Sequence, residues 1–209
     1  MVFAESAARW LLVLHAILGV AVVAVTTHLA IWLHRYRQGR HKRVAAIRRF
    51  SRYALALYLA SFVLGNVVYP SYKVGVRAEY LEDGSASTRD WADRLQARRK
   101  LIERYRTSQR LYGEAAATIE VPQVPEEPPL VARRAAKLAR WFDVKEHWVA
   151  MGLALVLAVF LILRVYNPQR DPQVILPLLT WMATAAAGAT WLAGIIGLMV
   201  SGYRAVGPL

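Results

Sequence analysis

Cysteine is absent from all 209 residues of this chain, which excludes disulfides, thiolate nucleophiles and metal sites built on thiolates. Acidic residues are few, with 14 against 27 lysines and arginines and a formal net charge of +13. The sequence also lacks the glycine-rich phosphate-binding and dinucleotide-binding motifs, HExxH and GxSxG. These absences leave no signature of an enzyme that acts on its own.

Long uncharged stretches are what the sequence has instead. Hydrophobic residues make up 56% of the chain, above the roughly 45–50% of a globular protein. Four stretches have the apolarity of membrane-crossing helices, at about 10–33, 53–69, 148–165 and 174–203. Aromatic residues lie near the ends of these stretches. The sequence therefore predicts an all-α integral membrane protein, with residues 1–209 as a single membrane domain of four transmembrane helices. Its basic charge then belongs beside anionic lipid headgroups, and no nucleic acid is expected as a partner.

The charged loops predict the orientation. The loop between spans one and two contains no acidic residue. Its basic residues are Arg35, Arg37, Arg40, Lys42, Arg43, Arg48, Arg49 and Arg52. Such a short basic loop stays on the cytoplasmic side. Span one is longer than the ~7–15-residue core of a signal peptide, so it is expected to remain as a membrane helix. We expect a bacterial inner-membrane protein with both termini in the periplasm.

The segment 71–144 is predicted to be a periplasmic insert between helices 2 and 3. An amphipathic helix is expected at about 88–112, where apolar side chains recur on one face, at Trp91, Leu95, Ile102, Tyr105 and Tyr112. Basic residues cover much of the rest, so this helix is suited either to a membrane surface or to a partner subunit. A Pro-rich stretch, 121–129, predicts an extended spacer.

Two histidines are the candidate cofactor ligands, because an ionisable residue inside a membrane span is a functional candidate. His15 lies ~9 Å to the outer side of the middle of span one, and His147 lies ~13 Å to the outer side of the middle of span three. Their similar depth predicts a pair of axial ligands to the iron of one b-type haem. Gly19 would leave room for the macrocycle. His28 points about 220° away from His15 around the same helix, so a second haem held within this chain is not expected.

Neighbouring polar residues fit the same hypothesis. Asp143 and Glu146 could accept the second ring proton of His147, and the propionates would meet a polar rim formed by Tyr72, Lys73, Arg77, Arg140 and Lys145. A metal site of His15, His147, Asp143 and Glu146 is a weaker alternative. The plain alternatives are an interhelical hydrogen bond for His15 and an interface ion pair for His147.

Two functions follow from this pattern. The first is a membrane subunit of an electron-transfer complex, which holds haem b between a periplasmic electron carrier and a quinone. In helix count and outer-side histidines, the pattern is similar to four-helix membrane b-type cytochrome subunits, a likeness of architecture alone. The second is a non-catalytic scaffold or accessory subunit that binds other membrane-protein subunits through seams of small residues, at Ser61, Gly65, Ala186, Thr190 and Gly194. A transporter or channel ranks third, because the spans lack charge.

Overall fold

The structure is a computed structural model that describes residues 5–39, 44–111, 128–167, 171 and 174–203. Every element within these ranges is a helix, in the order α1 Glu5–Arg37, α2 Val44–Tyr72, a π-helical segment Lys73–Leu81 (the π segment), α3 Gly84–Leu111, α4 Pro128–Val165 and α5 Ile175–Tyr203. Most of the predicted Pro-rich spacer, 121–129, lies outside the described residues, and α4 begins at Pro128.

Four stretches of helix are long and apolar enough to cross a membrane, namely Ala7–Arg37, Val44–Leu81, Ala132–Val165 and Ile175–Gly202. Large apolar side chains on these helices face outward as well as inward. Trp181 is 70% exposed and Leu198 is 76% exposed, a surface that suits lipid rather than water. The prediction of an all-helical chain is confirmed for the described residues, as is that of four helices long and apolar enough to span a membrane, which suggest a multi-pass membrane protein.

The four spanning helices form a bundle in which each packs against two others. Helix α1 contacts α2 and α5, and α4 contacts the same two helices, which leaves α1 diagonal to α4 within the described bundle. Leu29, Val159 and Leu179 are almost fully buried between the helices. Lipid is as apolar as these side chains, so close packing and interhelical hydrogen bonds hold the helices together. One such bond joins the hydroxyls of Thr26 and Thr190 over 3.1 Å.

The two ends of the bundle differ. At the loop end, where α1 gives way to α2 and α4 to α5, Tyr36, Ile47 and Tyr166 complete the main core. Helix α1 stops there because Gly39 adopts a φ of 88°, which residues with a side chain rarely adopt.

The opposite end, here called the terminal end, contains the start of α1 and the end of α5. A second core there joins them to the π segment and α4 through Ala8, Val76, Ala139 and Val200, and Ala86 of α3 packs against it.

The predicted seams of small residues are partly buried. Ser61, Ala186 and Thr190 pack inside the bundle, whereas Gly194 is exposed. The helix of span two continues past residue 69 into the π segment, whose Tyr80 and Leu81 are buried in the second core. Helix α4 begins 20 residues before the predicted span at 148 and runs through it without a break. The residues expected as an insert therefore share helices and a core with the spans.

Candidate functional site

The densest polar cluster lies at the terminal end of the bundle, around Arg77 of the π segment. Its guanidinium donates two hydrogen bonds to the carboxylate of Asp143 on α4, over 2.6 and 3.2 Å. Its Nε donates to Glu82, just before α3, over 2.8 Å. Paired donors matched to a carboxylate give the strongest geometry for an ion pair. Arg77 thus ties the π segment to α4 and to the start of α3.

Aromatic rings adjoin this ion pair on the side of the bundle. The ring of Tyr72 stacks on Phe142 with 3.8 Å between centroids, and Tyr69 lies against Phe142 as well. The Lys145 ammonium lies 4.7 Å from the centroid of Phe142, within the range of a cation–π contact. These aromatic rings pack beside the charged cluster where α2 meets α4.

Helix α3 is attached through the same cluster. The Tyr80 hydroxyl donates to the carboxylate of Asp90 over 2.5 Å, and Asp90 forms an ion pair with Arg94 over 2.9 Å. Asp83 caps the start of α3, because its Oδ1 accepts from the main-chain N–H and hydroxyl of Ser85 and from the N–H of Ala86. These hydrogen bonds lower the pKa of Asp83 below its ordinary value.

His15 lies inside the bundle against α2. A Cβ added to Gly65 would come within 3.0 Å of the imidazole Cε1, so the ring occupies the space that this glycine leaves. The Nδ1 atom is buried, and the main chain of Ser61 on α2 lies close to the ring. Lys145 lies within electrostatic reach of His15, and its Nζ would be 3.5 Å from a Cβ at Gly197 of α5. The chain therefore turns the side chains of His15 and Lys145 toward the interior of the bundle.

His147 faces the other way. It is exposed, and its Nδ1 donates to the main-chain carbonyl of Asp143 over 2.8 Å. Two residues of helix correspond to about 200°, so His147 and Lys145 point in nearly opposite directions. The structure does not bring His15 and His147 together.

The described contacts give no support to the predicted haem, which they do not test. The ring of His15 lies against α2, and His147 projects from the exposed face of the diagonal helix α4. Of the polar rim, Arg77 is already paired with Asp143. No group of three or more His, Asp or Glu side chains that could hold a metal ion occurs among the described residues. Haem b held by His15 and His147 stays a prediction without geometric support.

His28 also lies apart from this cluster. It is exposed, donates from Nδ1 to the carbonyl of Ala24 over 3.0 Å and stacks on Phe50. The interactions that sequence reasoning missed are the pairing of Arg77 with Asp143 and the inward position of Lys145. Arg77 and Asp143 are 66 residues apart. In the sequence, the signal that could have indicated these interactions is the presence of charged residues next to aromatic residues at the edges of two spans.

Comparison with known proteins gives no functional information, so any functional conclusion rests on the geometry. No protein-family model, no curated protein and no solved structure matches this chain.

Proposed function

We propose that this chain is a non-catalytic accessory subunit of a larger membrane complex, anchored by α1, α2, α4 and α5, with α3 as its docking element outside the bilayer. In the bacterial inner-membrane orientation that the basic loop favours, α3 lies on the periplasmic side. The partner is another subunit of the complex that presents an acidic surface to α3.

One observation carries this proposal: α3 is fixed at its start and exposed farther along, from residue 96 to residue 105. The cap at Asp83 and the hydrogen bond from Tyr80 to Asp90 hold its first turns. Farther along, nearly every side chain from residue 96 to 105 is exposed. A helix held rigidly at one end keeps its surface charges in a fixed arrangement, which reduces the entropy cost of docking.

The charge of α3 favours an acidic protein surface over a lipid surface. The helix contains eight basic residues and three acidic ones between Gly84 and Leu111. At 100° per residue, the basic side chains occur on all sides of the helix. A helix that lies flat on a membrane needs one wide apolar face. Here Leu101 is 67% exposed and Tyr105 49% exposed, and they share the helix surface with arginines.

The experiment is charge reversal on α3, with the whole chain purified from its native membranes in a mild detergent. The test variant is Arg98→Glu, Arg99→Glu and Lys100→Glu. The matched control reverses three exposed basic residues on α4, namely Arg133, Lys137 and Arg140. Native mass spectrometry reports whether a partner is bound at a fixed stoichiometry.

We expect the wild type and the α4 control to retain the same partner, and the α3 variant to appear as the free chain. Loss of the partner from both variants would show that overall charge, and not α3, controls assembly. A wild-type chain that is free in native membranes would contradict the accessory function.

The electron-transfer hypothesis is distinguished by a reduced-minus-oxidised visible spectrum. Because His15 and His147 do not face each other, we expect a featureless spectrum from the purified chain. A b-type α-band that disappears in both His15→Ala and His147→Ala would instead establish haem b and make electron transfer the function.

A further inference from the structure

A cavity of about 390 Å³ lies at the loop end of the bundle, between α2 and α4. It is lined by Arg48, Ser51, Arg52, Phe160 and Arg164. We call this cavity the arginine pocket. Arg48, Ser51 and Arg52 share one face of α2, and Phe160 and Arg164 share one face of α4, because residues three or four apart on a helix are neighbours. The volume is in the range of small-molecule sites.

Three guanidinium groups line this pocket, and none of them forms an ion pair with a described residue. Each ion pair among the described residues lies at the other end of the bundle. Arg48 is held in place, because one of its NH₂ groups donates to the main-chain carbonyl of Tyr166 over 2.8 Å. Its Nε is buried and has no acceptor among the described residues.

We propose that the arginine pocket binds the phosphate of an anionic phospholipid headgroup. Guanidinium groups present paired donors that match phosphate oxygens. A bound anion would relieve the mutual repulsion of Arg48, Arg52 and Arg164. This site goes beyond the proposed accessory function, because it does not involve α3 or a partner subunit.

The position of the pocket favours a lipid over a soluble phosphate. Arg164 is next to the last residue of α4, and Arg48 is in the second turn of α2, so the pocket lies where a spanning helix reaches the headgroups. Phe160 lies one turn, ~6 Å, deeper along α4 and offers an apolar wall to an acyl chain. Basic pockets between spanning helices are suited to anionic headgroups.

The test compares lipids on the full-length chain, delipidated in detergent, by native mass spectrometry. Phosphatidylglycerol is the anionic probe. Phosphatidylcholine carries the same anionic phosphodiester together with a trimethylammonium group, so its net charge is zero. The test variant is Arg52→Gln with Arg164→Gln, two exposed side chains whose replacement leaves the core intact. Arg48 is left unchanged because it holds Tyr166. The matched control is Arg37→Gln with Arg49→Gln, two exposed arginines at the same end that do not line the pocket.

We expect the wild type to bind one phosphatidylglycerol more tightly than phosphatidylcholine. The test variant should weaken that binding by about 10-fold, because it removes charge-assisted hydrogen bonds, while the control keeps wild-type affinity. Equal binding of the two lipids, or equal loss in the control, would overturn the proposal. Inorganic phosphate at millimolar concentration separates the two phosphate sources. If it raises the unfolding temperature as much as phosphatidylglycerol does, the assignment to lipid is wrong.

Discussion

At the scale of single residues, the imidazole of His15 occupies the space that Gly65 leaves on α2. We expect Gly65→Ala to destabilise the bundle by about 1–3 kcal/mol, the range for inserting a methyl group into a packed interior. The imidazole would have to move from its place against α2. The measurement is the unfolding free energy of the purified protein in detergent.

Gly19→Ala is the matched control, because a Cβ at Gly19 would meet no atom within 4 Å. It should leave stability nearly unchanged. In addition, the effect of Gly65→Ala should be smaller in a His15→Ala background, since contacting residues give non-additive effects. Additive effects of the two substitutions would show that the imidazole does not occupy this space.

The same residue scale shows where prediction from sequence stopped. Depth along a helix follows from 1.5 Å per residue, and depth alone suggested that His15 and His147 form a pair. The direction in which a side chain points depends on which helices are neighbours, and an uncharged helix with apolar residues on all sides does not encode that direction. The structure therefore places Lys145, not His147, on the face of α4 that is turned toward α1 and α5.

At the scale of elements, the start of α3 depends on Asp83 being ionised. The carboxylate accepts from Ser85 and Ala86, and these hydrogen bonds lower its pKa below the ordinary 3.8. A carboxylate with a lowered folded-state pKa stabilises the fold fully above its unfolded-state value. That stabilisation is lost as the pH falls below 3.8 through the folded-state pKa.

We therefore expect Asp83→Ala to speed hydrogen exchange of the amides of Ser85 and Ala86 at neutral pH. In the wild type the same exchange, corrected for its intrinsic pH dependence, should become faster only in strong acid. Thr107→Ala, near the exposed far end of α3, is the control and should leave these amides protected. Unchanged protection in Asp83→Ala would mean that the cap does not hold the start of the helix.

The ion pair between Arg77 and Asp143 joins the π segment to α4. We expect a coupling free energy of about 1 kcal/mol in a double-mutant cycle of Arg77→Gln and Asp143→Asn. The value should be modest because the Asp143 side chain is 41% exposed and water screens the pair. The readout is the unfolding free energy at low and high salt. A coupling of zero at low salt would exclude a stabilising role for the pair.

The helices themselves could be predicted to differing degrees. Spans one and four are apolar throughout, so their hydropathy alone located α1 and α5. Span two was expected to end at residue 69, yet the helix continues through Pro70 and widens into the π segment. Proline lacks an N–H and favours a helix end, and π geometry has no sequence signature as clear as a cap. The buried contacts of Val76 and Leu81 decide the outcome here.

At the scale of the whole molecule, charge is distributed unequally between the two ends. The loop end has arginines without an ion pair among the described residues, whereas the described ion pairs lie at the terminal end. A short basic loop favours the cytoplasmic side. This asymmetry predicts that α3 and both chain ends lie on the opposite, periplasmic side.

The absence of cysteine from the natural sequence makes this orientation directly measurable. We expect a membrane-impermeant maleimide added to intact spheroplasts to label Gln96→Cys on α3. It should label Gln38→Cys, which follows α1, only after permeabilisation. Both positions are exposed, so a difference in labelling reports membrane sidedness and not burial. The reverse pattern would mean that the basic loop does not set the orientation. It would also place α3 in the cytoplasm and the arginine pocket in the outer leaflet, so the partner of α3 would have to be sought among cytoplasmic proteins.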